Sequence, residues 1–277
     1  MLLVLLAAGL DGCSAAKFGY NHAERLLNWK IDDYVDLNRE QKAQLHSGIE
    51  PLLAWHRATQ LPRYADWLDQ VSHRVTADAV TAADVQVWFR LLGEFSTALY
   101  AEAAPGIERL LATLDDDQVE QINKALDDEL REARDEQTRE DGDDPLAHRR
   151  DKIQGDFERW IGRLNQAQLR KIDQRTLESE RVDPQVWMDW RERWNQDFIA
   201  LLKARRSADF HARRLAFEAA HDADADPNLG PALADNRAAY AELISEILGT
   251  LEPSQRQHLL KKLRSHAEDC RELAARS

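Results

Sequence analysis

Between Trp55 and Trp67 the sequence gathers an imidazole (His56), a guanidinium (Arg57), a phenol (Tyr64) and two indoles (Trp55, Trp67). Aromatic rings with polar tips beside an arginine carry much of the energy of protein interfaces, so these residues are read as a candidate groove for an apolar peptide or lipid. The structural alternative is a helix end, a turn, and a new helix with Pro62 at its first position, on which Tyr64, Trp67, Leu68 and Val71 pack inward. Eight tryptophans are more than a core of this size requires, although a tryptophan stripe on a helix is more often core than ligand site.

Other constellations carry less. No GxGxxG, GxxxxGK, GxSxG, HExxH or CxxC occurs, and no histidine has another four residues on, so no cofactor, metal or catalytic set is expected and the chain is not read as an enzyme. The run Asp222-Ala-Asp224-Ala-Asp226-Pro-Asn228 alternates oxygen ligands as a calcium loop would. It has Pro227 where the tight turn wants glycine and Leu233 where a bidentate glutamate belongs, and is read as a linker. Cys270 lies on the helical stripe Leu259, Leu263, His266, Cys270, Leu273, which favours a buried small hydrophobe over a reactive thiol.

The elements that must position these residues are helices. Glycine and proline are scarce, Val85, Trp88, Leu92, Phe95 and Leu99 recur at helical spacing, and so do Trp187, Trp190, Trp194, Phe198 and Leu201, both stripes reading as core-facing. Pro62, Pro105, Pro184 and Pro253 each suit the first position of a helix. With 277 residues, 31% of them charged, the chain is an all-α multi-helix bundle of one large domain or two small ones. The formal net charge of −13 repels phosphate backbones, so nucleic acid is not an expected partner.

One pattern recurs: Leu37-Asn38-Arg39-Glu40-Gln41, Leu114-Asp115-Asp116-Asp117-Gln118, Leu164-Asn165-Gln166-Ala167-Gln168 and Leu251-Glu252-Pro253-Ser254-Gln255. Its physical reading is a capping box, in which the polar residue after leucine accepts from the amide three residues on and the glutamine reaches back to the cap amide. Glu252 is a poor cap, though Pro253 supports a helix start there. Ile107, Leu110, Leu111, Thr113, Leu114, Gln118, Ile122, Lys124 and Leu126 match Ile244, Ile247, Leu248, Thr250, Leu251, Gln255, Leu259, Lys261 and Leu263 at a constant offset of 137, and the first and third motifs are offset by 127. These offsets suggest two related helical halves, 13–139 and 146–277, joined by the acidic segment 140–145.

Residues 1–12 open with an apolar run too short to cross a bilayer but of the length of a signal-peptide core. The run ends Leu10-Asp11-Gly12-Cys13, which resembles the bacterial lipobox, with Asp11 departing from the usual small uncharged residue. Lipid such as palmitate on Cys13 is the expected outcome; with Cys13 acylated, Cys270 has no disulfide partner in the chain.

The LxxxQ turns resemble, weakly, the LTxxQ motif of the Spy and CpxP group of periplasmic helical chaperones and stress modulators, with asparagine, aspartate or glutamate in place of threonine. A more specific resemblance is to an uncharacterised family of proteobacterial lipoproteins. It rests on Phe18, Tyr20 and Asn21; on Trp29 and Asp32-Asp33-Tyr34-Val35-Asp36-Leu37; on Trp55-His56-Arg57; and on Leu61-Pro62-Arg63-Tyr64. That resemblance implies location and fold and attaches no activity. Ser14 after the cysteine resembles lipoproteins sorted to the outer membrane. The expectation is an outer-membrane lipoprotein facing the periplasm that binds apolar or unfolded protein segments, with a chaperone-like or envelope-stress role. A structural or regulatory partner of one envelope protein stands second, and a hydrolase without a visible motif third.

Overall fold

The computed structural model describes residues 13–142, 145–178 and 183–276. The expected export signal, residues 1–12, and Asp143 and Asp144 of the acidic segment lie outside the described residues. The chain is all-α, 83% helical, with no strand among the described residues.

Helices α1 (Cys13–Asn21) and α2 (Ala23–Asp32) are separated by one irregular residue, His22, and lead into α3 (Arg39–Trp55). A π-helical turn, His56–Gln60, joins α3 to α4 (Leu61–Thr76) without leaving helical backbone, where a helix end and turn were expected. The cause is Pro62, whose ring would collide with the carbonyl four residues back in a regular α-helix. The wider π-turn moves that carbonyl away, and the Leu61 amide donates to the His56 carbonyl instead.

Helix α5 (Ala82–Leu111) starts on a Thr81 and Asp84 capping box. Pro105 lies inside α5 rather than at a helix start, so its breaking tendency is overridden by the packing of the flanking turns, where Ala104 is buried. Then follow α6 (Asp116–Gly142), α7 (Pro145–Ile161), α8 (Gln166–Glu178), α9 (Pro184–Lys203), α10 (Phe210–Ala220), α11 (Gly230–Leu248) and α12 (Pro253–Ala274). Helix α6 thus continues through Glu140–Gly142 of the acidic segment. Gly162 closes α7 at φ +77°, a left-handed conformation that glycine adopts without penalty.

The helices of the two sequence halves are interleaved. Helix α4 lies along α12, α9 lies along α6, and α5 packs on α11. One core therefore combines Ala65, Leu68, Val71 and Val75 of α4 with Phe157, Ile161, Ile172, Ile247, Leu259 and Leu263. The other combines Ile199 and Leu202 of α9 with Val35, Leu37, Leu114, Ile122 and Leu126. On α9 the buried residues are Met188, Asn195, Ile199, Leu201 and Leu202; of the expected stripe Leu201 is buried and Trp194 and Phe198 pack against the second core, while Trp187 is 38% exposed. Helix α9 has two partners. Its buried face meets α6, and Trp194 and Phe198 turn sideways onto Phe217 of α10, at ring separations of 5.4 and 5.7 Å.

Candidate functional site

Two constructions in this fold hold polar groups in positions that demand explanation: the LxxxQ turns and the π-turn cluster. The four turns meet in pairs. Gln41 and Gln118 face each other through reciprocal amide hydrogen bonds of 2.8 and 2.7 Å, and Gln168 and Gln255 do the same at 2.9 Å both ways.

Each glutamine carries further bonds. The oxygens accept from the cap amides of Asn38, Asp115, Asn165 and Glu252. The nitrogens donate to the carbonyls of Thr113, Asp36, Thr250 and Arg163, respectively. Every donor and acceptor site of all four amides is thereby filled, in side chains that are almost wholly buried. Thr113 and Thr250 differ by 137 in number, as do Gln118 and Gln255; Asp36 and Arg163 differ by 127, as do Gln41 and Gln168. The hydrogen bonds therefore repeat residue by residue at the two sequence offsets.

The residues of the expected groove converge at the π-turn. His56 is buried and held between two phenols: the Tyr20 hydroxyl lies 3.0 Å from Nδ1 and the Tyr64 hydroxyl 3.2 Å from Nε2. Burial, reinforced by the Arg57 charge, lowers the imidazole pKa to about 4. Burial also raises Tyr20 and Tyr64 to about 12. At neutral pH the triad is uncharged, and none of its members is poised to exchange a proton.

The Tyr64 ring packs 4.6 Å from Phe95, and Trp67 meets the same ring edge-on at 6.3 Å. Trp55 and Arg57 are half-buried; Arg57 Nε and Trp67 Nε1 are enclosed and make no protein hydrogen bond among the described residues. The polar tip of Tyr64, which as a surface anchor would meet a ligand, is spent on His56.

Sequence reasoning missed three participants. Tyr20 and Phe95 come from α1 and α5, and Cys270 from α12, where burial raises its thiol to about 11. Each carried a signal of another kind: Tyr20 in the Phe18, Tyr20, Asn21 motif, and Phe95 and Cys270 on apolar helical stripes. The acidic run 222–228 is a closed loop: Asp226 Oδ1 accepts from the Asn228 and Leu229 amides, and Arg193 and Arg237 pair with Asp226 and Asp224. Gly230 is required there, since a Cβ would stand 2.3 Å from the Asp224 carbonyl oxygen. Those oxygens are committed to the fold.

A model described as a family of unknown function (DUF6279) matches residues 33–223, a span that includes His56, Tyr64 and Phe95 but not Tyr20 or Cys270, together with the first glutamine pair and Gln168. No curated protein and no solved structure matches.

Proposed function

The chain belongs to the DUF6279 family of unknown function, and from that premise we propose that it is a lipid-anchored envelope protein that works by holding apolar or unfolded protein segments. The supporting observation is where its large apolar side chains stand exposed. Leu146 at the start of α7, Leu177 at the end of α8 and Trp187 at the start of α9 are 47%, 71% and 38% exposed. Leu146 and Leu177 stand at the same end of the antiparallel α7–α8 pair, and Trp187 opens α9, which runs antiparallel to α6. Trp187 is stacked 5.2 Å from Trp190, which stiffens it as an anchor. Exposed apolar side chains grouped on a highly charged surface mark a contact site, whereas single ones do not.

In the assay that tests this, an unfolded client is diluted into buffer with the mature protein and no nucleotide, and aggregation is followed by light scattering. The parent protects the client, and Leu177→Ser with Trp187→Ser protects it severalfold less while keeping its melting temperature, since both side chains are exposed. Equal protection by the double variant would move client binding away from these side chains. Absence of protection by the parent would favour the reading as a dedicated partner of one envelope protein.

A further inference from the structure

The helices that follow Cys13 are fixed to the body by one face. Lys17 pairs with Asp269 at 2.9 Å and with Glu272 at 2.6 Å, Gly19 and Ala23 are buried, and Tyr20 reaches His56. The opposite face carries Phe18, His22, Arg25 and Trp29, spaced 4, 3 and 4, which places them on one stripe across α1 and α2. The hydrogen bonds from the His22 amide to Phe18 O and from the Leu26 amide to His22 O carry the helical path through the irregular residue. Phe18 is 58% exposed and Trp29 66%, and the Phe18 and His22 rings lie 4.0 Å apart. Arg25 is exposed and makes no ion pair among the described residues.

We propose that this stripe is a membrane-contact surface, seated in the headgroup region of a phospholipid bilayer beside the lipid on Cys13. The inference rests on the lipoprotein reading of Cys13 and adds to it an orientation. Helix α1 begins at Cys13 itself, so no flexible tether separates anchor from body. At a rise of about 1.5 Å per residue, Phe18 lies about 7.5 Å along the helix from the cysteine. A rigid helix whose first residue is held at the bilayer cannot keep its next turns far from it.

The residue types suit that position. Trp and Phe rings enter the boundary between headgroups and acyl chains, and an unpaired arginine reaches to lipid phosphate while its stem lies along the apolar layer. The chain's net charge of −13 opposes approach to anionic lipid elsewhere on its surface, so this aromatic and cationic face is the one selected.

Two measurements test this, and they separate its failure from failure of the anchoring. Mass spectrometry of the mature protein reports whether Cys13 carries lipid. Independently, the mature chain with Cys13→Ser is floated with vesicles of phosphatidylethanolamine and phosphatidylglycerol. It binds weakly, and Phe18→Ser with Trp29→Ser lowers the partition coefficient about tenfold or more, as expected for withdrawing two aromatic rings from an apolar layer.

In the lipidated protein on vesicles containing brominated phospholipid, part of the tryptophan fluorescence is quenched, and Trp29→Phe removes that part. Quenching unaffected by Trp29→Phe, or equal flotation of the Cys13→Ser chain with and without the Phe18 and Trp29 changes, overturns the proposal even if Cys13 is acylated. Loss of Trp29 quenching when an envelope protein is added would assign the stripe to that protein instead.

Discussion

The two glutamine pairs solve one packing problem with different accessories. In both, a helix start and a helix-to-helix turn are fastened by two amides that bond each other, two cap amides and two carbonyls. Around this constant centre the caps differ. Asn38 and Asp115 accept from the amides of Gln41 and Gln118 in the first pair. In the second, Asn165 accepts from the Gln168 amide and also donates to the Glu252 carboxylate at 3.1 Å, which links the two caps directly.

The arginine that ties each turn to the interleaved helix also differs in origin. In the first, Arg205 at the end of α9 donates to Leu114 O at 2.7 Å and pairs with Asp116. In the second, Arg256 of the LxxxQ helix itself donates to Val75 O at 2.5 Å and pairs with Asp78 at the end of α4. The end of the interleaved helix meets the turn in both, but the charge that locks it comes from opposite sides. What is shared is the glutamine, which in all four turns both caps its own helix and bonds the other turn. The cap residue and the arginine vary around it.

The largest effect should come from breaking an amide pair. Gln41→Ala removes a fully bonded side chain and strands the Asn38 amide, the Thr113 carbonyl and half of Gln118, so a loss of about 4 kcal/mol or more is expected, at roughly 1–3 kcal/mol per orphaned buried group. Gln168→Ala should cost nearly the same. Urea unfolding of Gln41→Ala with Gln118→Ala should show about 2 kcal/mol less destabilisation than the sum of the singles, whereas Gln41→Ala with Gln168→Ala should be additive. Additivity within a pair would refute the idea that the amides act as one unit.

The arginines come next. Arg205→Ala should cost about 2–3 kcal/mol, because Arg205 is 4% exposed and its loss leaves the Leu114 and Leu202 carbonyls without it. Arg256→Ala should cost about half as much, its guanidinium being 22% exposed where that of Arg205 is 3% exposed. Equal costs would mean that the two locks are equivalent despite their burial.

The third comparison concerns the joints that lead into the interleaved helices. Between α3 and α4 it is the continuous π-turn around His56. Helix α9 instead starts on a cap at Asp183, the position 127 residues on, whose carboxylate accepts from the Gln185 amide. Because the folded-state pKa of His56 is lowered from 6.5 to about 4, its neutral form favours folding above pH 6.5, and that contribution is lost as pH falls from there towards 4. A loss of about 3 kcal/mol by pH 4 is expected, reduced in His56→Gln. Hydrogen exchange should place the acid-induced opening at the π-turn and not at the start of α9. Equal opening of both joints would assign the acid response to the carboxylates at large.

The smallest effect belongs to the caps. Asn38→Ala should cost about 1 kcal/mol, whereas Glu252→Ala should cost only a few tenths, since Gln255 still caps the Glu252 amide and Pro253 already sets the first turn.

Much of this was legible in the sequence. The all-helical class, the LxxxQ helix starts, the offsets of 127 and 137 and the apolar faces of α4 and α12 follow from local rules, because capping and amphipathic spacing are set within a few residues. The amide pairing was not legible. Gln41 and Gln118 are 77 residues apart, and a capping glutamine looks the same whether its remaining donor meets water or another glutamine. The Trp55–Trp67 cluster shows the same limit. Residue types that suit a binding groove also suit a core, and the sequence could not show that Tyr20 from α1 would meet His56 or that Phe95 from α5 would meet Tyr64.

The amino-acid sequence by itself determined the helices, their starts and the recurrence of one turn, since each depends on hydrogen bonds and apolar spacing within a single segment. Only the tertiary structure decided that α4 lies on α12 and α9 on α6, that the LxxxQ turns close on each other in pairs, and that Trp29 and Phe18 face outward while His56 is buried. Those outcomes depend on which apolar faces meet across long chain separations and on which polar groups are left to satisfy one another once they do.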